Sequence, residues 1–103
     1  MAQLIQSCPE DLIAVPNVFS PNGDGINDEL EIFISQAVRQ ITFMRIFDRW
    51  GGQVFETTNA NERWNGRLKG RDLPTGVYIY ILEAPCSVTG GSFQKTGDIT
   101  IMR

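Results

Sequence analysis

Apolar residues recur along this chain in short runs, mostly at a spacing of two, and each run is closed by Gly, Pro, Asn or Asp. Glu29 to Ile34 alternates acids with Leu30, Ile32 and Ile34, the pattern of a half-buried strand. Gln40 to Asp48 sets Ile41, Phe43 and Phe47 on one face and Met44 and Ile46 on the other, which predicts a central strand. Val77 to Ala84, VYIYILEA, is the most strand-prone run and is also expected to be central. Phe93 to Arg103 reads as the last strand, with Ile99 and Ile101 on one face and Asp98 and Thr100 on the other. Leu12 to Phe19 reads as a short strand interrupted by Pro16, and proline confines such a strand to an edge or a bulge.

Between these runs the turn chemistry is explicit. Arg49-Trp50-Gly51-Gly52 closes a hairpin whose return strand is Gln53 to Glu56. Asp72-Leu73-Pro74-Thr75-Gly76 is a turn that releases the VYIYILEA run. Ser35 to Arg39, Thr57 to Arg63 and Pro85 to Ser92 read as polar connections, and Arg67, Lys69 and Arg71 as a solvated basic stretch. No helical period, internal repeat or low-complexity segment interrupts the series. About seven short strands separated by turn signals predict an all-β, immunoglobulin-like antiparallel sandwich. Residues 1–14 are expected to form a linker or N-terminal arm, and residues 15–103 the domain.

The densest stretch is Phe19 to Asp28, FSPNGDGIND. Pro21 lacks a backbone donor, and the Asn-Gly and Asp-Gly pairs favour left-handed turns, so neither helix nor regular strand can cross it. Two readings stay open. Aligned on Gly25, the residues Ser20, Asn22, Asp24, Ile26 through its carbonyl, Asp28 and Glu31 fall at the ligand positions of a calcium loop, with Ser20 the poor one and no helices flanking. Alternatively Asn22 and Asp24 bond their own backbone two residues on, in Asx turns that need no metal.

Composition narrows the functional classes. A net charge of −3 and no run of Lys or Arg leave no electrostatic footprint for nucleic acid or an anionic membrane. No apolar stretch is long enough to span a bilayer, and any export signal is expected upstream in a longer parent chain. With no histidine, and with the serines in no triad or nucleophile-elbow pattern, an enzyme has little to work with. Trp50 and Trp64, each beside a glycine turn, read as core plugs ahead of sugar-stacking platforms. Cys8 and Cys86 fit no zinc pattern; in an exported domain they would close a disulfide loop worth ~4 kcal/mol, and in a cytosolic one they would be free thiols.

Five motifs then stand in order: FSPNGDGIND at 19–28, IFDRWGGQVFE at 46–56, WNG at 64–66, LPTGVYIYIL at 73–82 and GDITIMR at 97–103. Together they resemble the gliding motility-associated C-terminal domain, the type B sorting domain of the type IX secretion system of Bacteroidota. The resemblance runs from about Val15 to Arg103, with Asp48 where the family usually has Asn and Ser20 where Thr is frequent. It implies a non-catalytic, immunoglobulin-like address on a surface adhesin or secreted protein, carried to the periplasm by a Sec signal. The address would be read by the outer-membrane translocon and an outer-membrane β-barrel partner encoded beside gliding adhesins, with no cofactor required and the domain monomeric. The last strand, Gly97, Asp98, Ile99, Thr100, Ile101, Met102 and Arg103, is the expected recognition element, offering unpaired backbone groups and the Arg103 guanidinium. The alternative from another class is a calcium-stabilised adhesion module binding a surface ligand.

Overall fold

Proline at position 16 decides how the fold begins. Lacking an N–H, it breaks the ladder, and the chain changes sheets there. In the computed structural model, which describes residues 13–25, 28–34, 40–85 and 91–103, the segment before it is β1 (Ile13–Ala14) and the segment after it is β2 (Val18–Phe19). β1 pairs antiparallel with β3 (Phe33–Ile34), whereas β2 lies parallel to the last strand. One predicted strand is therefore two, each at a sheet margin.

The larger sheet has the order β2-β9-β8-β4-β5, with β4 Phe43–Phe47, β5 Gln53–Thr57, β8 Gly76–Pro85 and β9 Ser92–Ile101. β4 and β8 are central, as their two-faced apolar pattern predicts. The β2–β9 pair is the single parallel pairing among the described strands; the other pairings are antiparallel. β6 (Arg67–Leu68) and β7 (Arg71–Asp72) form a small hairpin where a solvated basic stretch was expected. Its central residues Lys69 and Gly70 have φ of 55° and 79°, the signature of a type I′ turn, which the Lys-Gly pair signals less plainly than Asn-Gly.

The registers divide the large sheet into two faces. Met44 opposite Leu82, Ile46 opposite Tyr80, Tyr78 opposite Ile99, and Phe19 opposite Ile101 are all buried. They meet Ile13, Leu30, Ile32 and Trp64, contributed by β1, the Leu30–Trp64 bridge and their flanks, to make one core between two layers. The fold is thus an all-β sandwich. Its layers are β1 with β3 and the Leu30–Trp64 bridge on one side and β2-β9-β8-β4-β5 on the other. Two tilted ring contacts, Trp64 to Phe19 at 5.4 Å and to Phe55 at 5.9 Å, and an edge contact with Tyr78 at 5.7 Å mark the centre.

Gly97 is the one position of β9 where the core face admits no side chain. Opposite Tyr80, a Cβ there would stand 2.8 Å from the tyrosine ring, which is itself buried. Gly97→Ala is therefore expected to cost about 1–3 kcal/mol through overpacking. Thermal unfolding checks it, and an unchanged Tm would show that Tyr80 is free to move.

Candidate functional site

The strand directions carry the sequence motifs to one end of the sandwich. β4 leaves the sheet there through Asp48–Gly52, β8 enters it from the Pro74–Gly76 turn, and β9 finishes there, Ile101 lying opposite Gly76. β2 runs parallel to β9 and so delivers the FSPNGDGIND loop to the same end. Contacts between motifs follow. A Cβ on Gly66 would lie 3.2 Å from Pro21 and 3.3 Å from Phe19, and the Arg103 guanidinium donates to the Gly66 carbonyl at 3.4 Å. Only glycine, at φ 74°, permits that approach.

Each loop at this end is tied by a carboxylate or amide to its own backbone. In the first loop, Asp28 accepts from the N–H groups of Gly23 at 2.9 Å and Gly25 at 2.7 Å, and Asn22 Oδ1 accepts from Asp24 at 3.1 Å. The Asx turn at Asn22 is therefore present. Of the calcium ligands expected from the sequence, each Asp28 oxygen accepts from one backbone amide and Glu31 pairs with Arg63 at 3.2 Å. Ile26 lies outside the described residues, and among those described no cluster of three or more acidic or sulfur ligands forms. Cys8 and Cys86 also lie outside the described residues.

The second loop repeats the device. Asp48 Oδ1 accepts from Trp50 N at 2.9 Å and Gly52 N at 2.8 Å, while Asp48 N donates to the Gly52 carbonyl at 2.9 Å. Asn, the residue more frequent in the resembling family at this position, has the same acceptor oxygen, so the departure at Asp48 changes no contact the turn requires. The two tryptophans part company here. Trp64 is the core plug expected, at 1% exposure, but Trp50 is 84% exposed and plugs nothing. The tight Asp48 turn holds its backbone at the tip and directs the ring outward.

Tyr78 is a site residue that sequence reasoning missed. Its hydroxyl donates to the Pro74 carbonyl at 2.7 Å, the tyrosine corner of immunoglobulin-type sandwiches. The spacing of Pro74, Gly76 and Tyr78 ahead of a strong strand was the available signal. Burial first, and the Asp48 charge second, push the Tyr78 phenol above its ordinary pKa of 10.0. Because the raised value belongs to the folded state, stability is intact below about pH 10 and declines as the unfolded chain ionises first. Urea midpoints for the wild type are expected to fall more steeply above pH 10 than those for Tyr78→Phe; parallel curves would remove the corner's contribution.

The last strand needs a correction. Its end does not offer unpaired backbone groups: Thr100 N donates to the Asn17 carbonyl at 2.8 Å and Met102 N to the Phe19 carbonyl at 3.0 Å. Ile99 and Ile101 are buried, so of the expected recognition residues only Gly97, Asp98, Thr100, Met102 and Arg103 retain surface. The carboxylates Glu29 and Glu31 flank Arg63, and Arg67 pairs with Asp72 at 2.9 Å, so these groups are solvated ion pairs with no reacting geometry.

A tyrosine corner, a five-stranded sheet packed on a shorter layer, and signature loops gathered at one end define a small all-β sandwich module. The chain belongs to the CHU_C type IX secretion signal domain family, which matches residues 13–101. Its fold is similar to part of PorZ, an essential bacterial surface component of the type-IX secretion system of human oral-microbiomic Porphyromonas gingivalis, with a TM-score of 0.55 at 24% identity. That likeness covers 90% of this chain and 12% of PorZ. No curated protein matches the chain. The family is one of secretion signals, not of catalysts.

Proposed function

We propose that this domain is a C-terminal address that sends a parent surface adhesin or secreted protein through the outer membrane by the type IX translocon. An upstream Sec signal would deliver the parent to the periplasm, and the folded domain would then be read at the outer membrane, with a gliding-adhesin-associated β-barrel as its dedicated partner. The destination is the cell surface or the medium. The domain contributes shape and surface chemistry and performs no reaction.

The observation that carries this reading is the assembly of separate motifs on one end of the sandwich. Phe19 and Pro21 from the first loop, Trp64 and Gly66 from the third motif, and Arg103 from the last lie within contact distance of one another. Phe19, Trp64 and Gly66 are buried there and form the footing on which Pro21, Arg103 and the exposed loops of that end are held in place for a receptor to grip. The presence of a similar fold within a surface component of the same secretion system supports the assignment.

A fluorescent reporter carrying a Sec signal and this domain at its C-terminus tests the proposal in a host that possesses the secretion system. The reporter is expected in the medium or on the cell surface, and it is expected to stay in the periplasm when the translocon or the barrel partner is deleted. A periplasmic reporter in the intact host, together with binding of the purified domain to a surface ligand, would transfer the domain to the adhesion class.

A further inference from the structure

We propose that Trp50, with Arg49 laid against it, is the anchor by which this domain engages its secretion receptor, and that the receptor presents an apolar pocket rimmed by carboxylate. The inference rests on the sorting reading and adds to it a contact residue and the chemistry of the partner. At 84% exposure Trp50 is the most exposed large hydrophobic side chain among the described residues. An indole left in water forgoes the burial that Trp64 obtains in the same chain, so its position asks for an occupant outside the domain.

The residue is exposed because the turn is rigid. Asp48 holds Trp50 N and Gly52 N, Gly51 N donates to the Asp48 carbonyl at 3.0 Å, and Gly51 takes a φ of 85° to close the tip. An aromatic ring on a fixed backbone loses little freedom on binding, which is how protein anchors attain affinity from few contacts. Beside it lies a cleft of about 260 Å³ between this turn and the Leu73–Tyr78 segment, lined in part by Leu73, Pro74 and Val77. Apolar surface continues from the cleft onto the outer face of the sheet. Val77 is 50% exposed, Ile79 44%, and Val18, in the same cross-strand row as Val77 through Thr100, 42%.

Two chemistries could cover an exposed tryptophan, a sugar ring or a protein. A sugar site surrounds the ring with polar groups that read hydroxyls, whereas the surface running on from Trp50 is the apolar one of Leu73, Pro74, Val77 and Ile79. The Arg49 guanidinium stands 5.8 Å from the Trp50 ring centroid, on a face a sugar would need. These features favour a protein. Charge gives its character. Arg45 is neutralised by Glu56 at 2.9 Å, whose carboxyl is held below its usual range by that bond, whereas Arg49 forms no ion pair among the described residues. A cation stacked on an indole is matched by a pocket with carboxylate at its rim.

The reporter fusion, carrying the full chain, tests this with Trp50→Ala, Trp50→Phe, Arg49→Lys and Arg49→Glu. Loss of a central anchor typically weakens binding by about 30-fold or more, so Trp50→Ala is expected to cut the extracellular signal at least about tenfold. Trp50→Phe should recover part of it, Arg49→Lys most of it, and Arg49→Glu little. Each purified variant should melt within about 3 °C of the parent, as exposed positions do. A Trp50→Ala domain that melts far lower would place Trp50 in the fold and overturn the inference. If the intact fusion is exported and Trp50→Ala is exported equally, the anchor is wrong and the sorting reading stands; if the intact fusion is not exported, the sorting reading itself fails. A photo-crosslinking benzoylphenylalanine at position 50 is expected to yield a protein adduct, and a glycan or lipopolysaccharide adduct would reject the partner class.

Discussion

Trp64→Ala is expected to remove about 3–5 kcal/mol of stability, a large part of the total for a domain of this size. The ring is 1% exposed and touches aromatic side chains from three directions, Phe19 from β2, Phe55 from β5 and Tyr78 from β8. Its backbone also bridges to Leu30, the Trp64 N–H donating to the Leu30 carbonyl at 3.2 Å and the Trp64 carbonyl accepting from Leu30 N at 2.7 Å. Truncation would leave a cavity reaching both layers, and the surrounding strands, held by their own ladders, have little freedom to collapse into it. Trp64→Phe is expected to cost distinctly less. The indole Nε1 is buried with no acceptor among the described residues, and phenylalanine removes that orphaned donor along with some area. Urea unfolding of the three proteins checks the order, and equal midpoints for Trp64→Ala and wild type would displace Trp64 from the centre of the core. Export should follow stability at position 64, and be independent of it at position 50.

The fold class was legible because two-residue periodicity and turn chemistry agree along most of the chain. The alternation of Tyr78, Tyr80, Leu82 and Ala84 with Val77, Ile79, Ile81 and Glu83 resolves, once paired, into a buried and an outer face. Before pairing, β4 and β8 could not say which face looks inward, because both carry apolar side chains; the decision belongs to Trp64 and Leu30, which cover one side only. The split of Leu12–Phe19 into two sheets was half visible: Pro16 predicts a break, but nothing local predicts that β2 will lie parallel to a strand some eighty residues on. Sequence reasoning also assigned Trp50 and Trp64 alike, since both sit beside a glycine turn. What separates them is the closure of Asp48 over its own turn, a three-dimensional fact that holds one ring in water while the Leu30 bridge draws the other inward. The motif cluster at one end was legible only as a list of motifs; strand direction made it a surface.

Removing Gly97–Arg103 is expected to abolish folding, and with it export, for a reason unrelated to recognition. The segment contains Ile99 and Ile101, at 0% and 1% exposure, and it supplies the parallel partner of β2. Losing two fully buried isoleucines costs roughly 4–10 kcal/mol, comparable with the whole stability of an ordinary domain. Phe19 and Tyr78 would lose their strand neighbours at the same time. A shorter deletion, of Met102 and Arg103 alone, separates the two effects. Met102 is half-exposed, and the pair contributes one backbone bond to Phe19 and one long contact to Gly66, together about 1 kcal/mol. That protein is expected to fold, with a Tm lowered by about 4–8 °C. Circular dichroism should then show a sandwich in the short deletion and none in the long one; a cooperative melt in the long deletion would contradict the burial of β9. With folding preserved, any fall in secretion of the short deletion measures what the last two side chains give the receptor, and undiminished secretion would locate recognition on the loops around Trp50 and Gly66 instead.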